Sequence, residues 1–154
     1  MNIEHIRHTF EGKGCMLDAM GMRFFSTDDP DTVRATMPVN ERTCHPYGGL
    51  SGGASMALAE TLAGLASCAI CPGMECLGIE VTASHIRAAF MGETVVATAR
   101  IIHRGKTIHR WNVDICNAEG KLVSNVRVTN LIVKSNKAWP TLSSDCPSPT
   151  DTPC

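Results

Sequence analysis

The chain has almost no excess charge of either sign. Lys and Arg number 14 against 15 Asp and Glu, a net charge of -1 over 154 residues. A polyanion such as nucleic acid, or an anionic membrane surface, gains little attraction from such a chain, so neither is expected as a partner. An apolar leader is also missing. The opening, "MNIEHIRHTFEGKG", is polar and contains no hydrophobic stretch of signal-peptide type, so a cytoplasmic protein is expected. The composition is not that of a disordered chain: 44% hydrophobic and 19% charged residues describe a globular body of one-domain size.

A second cysteine pair is the next absence. Cys68-Ala-Ile-Cys71, followed by Cys76, resembles half of a zinc site, but a structural zinc takes four ligands and usually two such pairs. No metal and no other cofactor is expected. Without a secretion signal, the eight cysteines read as reduced, small core residues.

What the chain does have is one long apolar segment in a strand-rich remainder. A short helix is predicted near Ile3 to Phe10, and a helix or turn leading into a strand over Met16 to Phe25. Asp28-Asp-Pro-Asp31 is a turn, and Thr32 to Val39 alternates as a strand. The apolar helix runs from Gly52 to Ile70. Its length fits a membrane span, but its Gly, Ala and Ser content and the embedded Glu60 argue against one. Strands follow at Cys76 to His85, Thr94 to Ile102, Thr107 to Cys116 and Lys121 to Val133, with turns at His103 to Lys106 and Asn117 to Gly120. A sheet with one apolar face and a helix to cover it is an α+β layer design. From Ser135 the texture becomes Ser-, Thr- and Pro-rich, a tail without a core of its own, its start pinned by Trp139. The chain divides into a segment 1–14, a body 15–134 and a tail 135–154.

Glu60 is the one acid in the most apolar helix. Burying a charged carboxylate without partners costs several kcal/mol. Met56, Ala63, Gly64 and Ser67 share its helical face; three are small, and none is basic. Room beside an unpaired acid suits a ligand site, although an acid paired with a buried Arg, or one facing water at an edge, has the same spelling. Gly52 and Gly53 stand at the helix start, where amide N–H groups lack intrahelical partners and the dipole favours negative charge. Such an amide can bind the oxyanion formed when a carbonyl is attacked, and Glu60 is a base or nucleophile for that carbonyl. The plainer reading makes Ser51 an ordinary N-cap and the glycines a turn.

"TMPVNERTCHPYGGLSGGASMALAETLAG" (36–64), "LGIEVTASHIRAA" (77–89) and "ATARIIHRGKTIHRWNVDICNAEGKLVSNVRVTNLIV" (97–133) resemble the PaaI-like hotdog-fold thioesterases, the group of the menaquinone- and enterobactin-pathway coenzyme A thioesterases. The resemblance covers roughly 15–134. It implies a long central helix wrapped by an antiparallel sheet, a homodimer with sites at the interface, usually paired into a homotetramer, and metal-free hydrolysis of acyl- or aroyl-coenzyme A. It assigns Glu60 as nucleophile or general base and Gly52 or Gly53 as oxyanion-hole amide. Three positions depart: Ser51 replaces the usual His, His45 stands where Gln is common, and Gly64 where Ser or Thr is frequent. His45 can take over the polar contact to thioester or water, and Ser51 can hydrogen-bond without supplying imidazole's charge. Gly64 and Ser67 leave room for an acyl or aryl group. His85 is expected to line the site across the dimer or to serve the interface. His103 and Arg104, with Arg87 and His109, are candidates for coenzyme A phosphates or a solvated hairpin. Two rival readings are a hotdog enoyl-coenzyme A hydratase or dehydratase, with His45 or His85 beside Glu60, and a non-catalytic acyl-coenzyme A-binding protein.

Overall fold

A computed structural model describes residues 1–134. The tail 135–154, and with it Trp139, lies outside the described residues. In chain order the elements are α1 (Glu4–Phe10), α2 (Met16–Ala19), β1 (Arg23–Phe25), β2 (Thr32–Pro38), α3 (Gly52–Ile70), β3 (Met74–His85), β4 (Thr94–Arg104), β5 (Ile108–Cys116) and β6 (Leu122–Lys134). The six strands form one antiparallel sheet in the order β1-β2-β4-β5-β6-β3, and α3 packs against it.

Strict alternation along β5 explains the two faces of the sheet. His109, Trp111, Val113 and Ile115 are buried, while Arg110, Asn112 and Asp114 are only partly covered. On the outer face Asn125 Nδ2 donates to Asp114 Oδ1 at 2.7 Å and to Asn112 Oδ1 at 3.0 Å, which ties β5 to β6. On the inner face small residues decide how closely the helix approaches. Ala35 pairs with Ala97, and Val33 with Ala99, in the β2–β4 ladder; all are fully buried. They face a helix whose own buried residues include Ala59, Ala63 and Ala66, with Leu58, Leu62 and Leu65 filling the remaining space. α3 is long and apolar enough to cross a membrane by composition, but nine of its residues are buried within the fold.

Turn chemistry fixes the sheet's register. Asn117 Oδ1 accepts from the amides of Glu119 and Lys121, and Gly120 takes the left-handed φ of 75° that closes the β5–β6 hairpin. The expected turn at 103–106 is shorter than the sequence suggests. A bulge between Ile101 and His103 lets β4 continue through Arg104, so His103 pairs with Arg110 and Arg104 with His109. The segment 1–14 joins the same core: Ile3 is fully buried, and the Gly12, Lys13 and Gly14 amides wrap the Asp18 carboxylate at 2.7–2.9 Å.

One polar cluster sits inside the apolar core. Ser67 Oγ accepts from Trp111 Nε1 and Asn130 Nδ2, both at 2.9 Å, and stands 3.1 Å from His109 Nδ1. With both lone pairs used, the hydroxyl hydrogen is left for His109, whose Nδ1 is therefore the acceptor and whose Nε2 carries the proton. Burial, helped by the nearby Arg104 charge, lowers the His109 pKa from its ordinary 6.5.

Two predictions follow from this cluster. Ser67→Ala leaves two buried N–H groups without an acceptor and should cost about 3 kcal/mol in urea unfolding, at roughly 1–3 kcal/mol per orphaned group; a loss under about 0.5 kcal/mol would mean the core relaxes around them. The second concerns pH. A histidine with a depressed pKa binds less proton folded than unfolded, so its contribution is intact above 6.5 and shrinks as pH falls below it, until the folded ring also titrates. The wild-type urea midpoint should fall more steeply below pH 6.5 than that of His109→Gln; parallel curves would remove His109 as the cause.

Candidate active site

The loop before α3 sets the start of the helix. Leu50 N donates to Ala89 O at 2.8 Å and Ser51 N to Thr43 O at 2.9 Å. Ser51 occupies the N-cap position in extended conformation, but its side chain makes no capping hydrogen bond, contrary to the ordinary-cap reading. Upstream, a tight turn closes between His45 and Gly49, with Gly48 at φ 81°. The Tyr47 amide donates to His45 Nδ1 at 3.2 Å, so the ring's Nε2 carries the hydrogen. That Nε2 lies 2.9 Å from where a Cβ on Gly49 would stand.

His85, the last residue of β3, closes the other side. Its Nδ1 is 2.9 Å from Ser124 Oγ, and its Nε2 is 2.6 Å from the position a Cβ on Gly52 would take. His85 therefore rests on the helix start of its own chain. Between the two imidazoles lies a cleft of about 370 Å3, lined by His45, Gly52, Ser55, His85 and Arg87 among others. Ser51 and Gly53 do not line it. Gly53 is exposed, with the Ser51 hydroxyl 3.7 Å from its Cβ position.

Glu60 is elsewhere. It is exposed in the single chain, not buried as its apolar surroundings suggest, and among the described residues it enters no ion pair. Its carboxylate lies on β3, in the space that a Cβ on Gly78 would fill. The β3–β6 register shifts between Gly78 and Glu80, so the acid sits over a bulge. Gly52 and Glu60 are eight residues apart, which on a helix is a rise of about 12 Å and a rotation of about 80°. Within one chain the amide and the acid cannot meet one carbonyl.

The remaining candidates separate. Gly64, one turn beyond Glu60, is half-exposed, and a Cβ there would meet nothing within 4 Å. Ser67 is fully buried in the Trp111–Asn130–His109 cluster, so its assignment to substrate is corrected: it faces the sheet, not the surface of Glu60. His109 is corrected for the same reason, being 1% exposed. His103 and Arg104 are exposed near Cys71 and His109, at the C-terminal end of a helix about 28 Å long, and do not join Arg87 at the cleft. Sequence reasoning missed Gly49, Gly78 and Ser124. Gly78 had a signal, a glycine inside an alternating strand; Ser124 had none. Among the described residues no group of three or more His, Cys, Asp or Glu is arranged to hold a metal.

Comparison with known proteins gives the family and the fold. Residues 47–124 match the thioesterase superfamily. The Pseudomonas aeruginosa protein PA1618 is 41% identical over 123 residues, covering 79% of this chain and 83% of its own. The crystal structure of a mutant thioesterase PA1618 from that organism superposes with a TM-score of 0.79 at 37% identity, covering 86% of this chain and 94% of the other. The 1,4-dihydroxy-2-naphthoyl-CoA hydrolase of Escherichia coli is 36% identical, over 79% of this chain and 89% of its own. The E. coli PaaI structure, from the phenylacetic acid degradation operon, matches with a TM-score of 0.69 at 25% identity, covering 77% of this chain and 84% of the other. A chain with this fold, an unpaired acid on its central helix and this degree of kinship belongs to the thioesterase superfamily.

Proposed function

We propose that the protein hydrolyses acyl- or aroyl-coenzyme A thioesters at a site shared between two copies of the chain. The observation that carries this reading is the unpaired Glu60 carboxylate, held at the surface over Gly78 and about 12 Å of helix from the amide end at Gly52. A second copy would bring its Gly52 cleft to the first copy's Glu60. The free edge strand β3 supports such pairing: it carries Gly78, and its Leu77 and Ile79 are 40% and 55% exposed.

In the proposed reaction the Gly52 amide and the helix dipole polarise the thioester carbonyl. Glu60 either attacks the carbonyl carbon or takes a proton from the water that does. The tetrahedral oxyanion rests on the amide, and its collapse expels the coenzyme A thiolate; where Glu60 itself attacks, water then cleaves the acyl–glutamyl anhydride to free acid and Glu60. His45, with its proton on Nε2, lines the cleft as a second candidate donor, at the position where the family resemblance leads one to expect Gln. Arg87 suits a phosphate of coenzyme A. An aroyl group is favoured by the open space at Gly64 and by the named substrate of the E. coli relative. Six free thiols among the described residues suit the reducing cytoplasm we propose as its location.

Thiol release from a panel of acyl- and aroyl-coenzyme A substrates tests the reading against a protein-only blank. Glu60→Ala should lower kcat/KM by about 10³-fold with its circular dichroism unchanged, since the side chain is exposed. Wild-type protein that binds coenzyme A and releases no thiol would leave only a binding role. Gly78→Ala places a methyl where the carboxylate lies and should lower kcat by about 10²-fold, in proportion to misplacement of the acid, without loss of folding. Unchanged kcat in that variant would detach Glu60's seat on β3 from catalysis.

A further inference from the structure

The thiols at the C-terminal end of α3 take no part in the cleft. Cys68 lies in the last turns of the helix. The chain reverses at Cys71–Gly73, with Gly73 at φ 78° and Met74 N donating to Cys71 O at 3.1 Å, and β3 then runs back along the helix. Cys76 pairs in register with Ile132, which is 3% exposed, so the Cys76 side chain points to the helix side of the sheet. This reversal lays the start of β3 against the last turns of α3, with Cys76 on the strand face that packs on the helix and Cys68 on the helix beside it. Both are half-exposed. Cys71 is engaged differently, with its Sγ 3.8 Å from His109 Nε2. Cys15, Cys44 and Cys116 stand on other parts of the chain.

We propose that Cys68 and Cys76 are an exchange pair that a small-molecule disulfide oxidises to an intrachain disulfide, tying the end of α3 to the start of β3. Cys68, as thiolate, attacks one sulfur of R–S–S–R; that bond breaks and R–S⁻ leaves, to be protonated by water. Cys76 then gives up its proton to solvent and attacks Cys68 Sγ, expelling the second R–S⁻. Two protein thiols lose two electrons and two protons, and R–S–S–R is reduced to two R–SH. The neighbouring Cys76 thiol holds Cys68 below the usual thiol range, whereas Cys68 and burial push Cys76 up, so Cys68 is the first nucleophile.

The test uses reduced full-length protein and one equivalent of dithiobis-nitrobenzoate, a chromogenic disulfide. The expected result is two equivalents of coloured thiolate per reagent consumed, a protein lighter by two hydrogens, and a Cys68–Cys76-linked peptide after blocking and digestion. Cys76→Ser should instead release one equivalent and retain the aryl adduct on Cys68, and Cys71→Ser should behave as wild type. An adduct retained on wild type, a disulfide mapped to other cysteines, or a covalent dimer on a non-reducing gel would each overturn the proposal. None of these readouts depends on thioester hydrolysis.

Discussion

The helix can lie this deep against the sheet only because the side chains between them are small. Ala35, Ala97 and Ala99 on the strands meet Ala59, Ala63 and Ala66 on the helix, all fully buried. A larger residue at any of these positions would overpack the contact and move the helix outward. Everything functional hangs from that contact. It places the N-terminus of α3 between His45 and His85, turns Glu60 outward onto β3, and delivers Cys68 to the strand that returns beneath it.

Such a contact has little to fix its register, since alanine against alanine packs almost as well one turn away. Ser67 supplies a directional constraint. A hydroxyl that receives Trp111 and Asn130 and faces His109 joins α3 to β5 and β6 at one point only. Sliding the helix would orphan several buried polar groups together, so the cluster selects one arrangement among near-equals.

The elements were largely legible because the signals were local. The alternation along β5, the Asn–Gly turn before β6 and the glycine-bounded apolar run all carry their structure in neighbouring residues. What was illegible depended on distance in sequence. Glu60 read as buried because Met56, Ala63 and Gly64, placed on its face, are apolar or small whichever way they face. Ser67 read as a lining residue because its three partners lie 42 to 63 positions later. The expected strand end at Ile102 fell short because a bulge, which no turn residue announces, keeps β4 paired through Arg104. His109 did carry a signal: it alternates in step with Trp111, Val113 and Ile115, so one strand period places it on their buried face. At the proposed site, a linear reading joins Glu60 and Gly52 within one chain, whereas a spacing of eight along a helix separates them by about 12 Å.

The Tyr47 amide on His45 Nδ1 leaves the proton on the ring's other nitrogen, and His45 lines the cleft. Arg87 and the Gly52 amide are donors as well. A cleft furnished in this way rewards lone pairs and negative charge, and it holds a carboxylate more firmly than the neutral thioester from which it came. In a thioesterase built so, departure of the acid becomes the slow event unless another anion displaces it. In the shared site we propose, the Glu60 carboxylate of a second copy would have that second use: once the thiolate has gone, its repulsion would expel the acid.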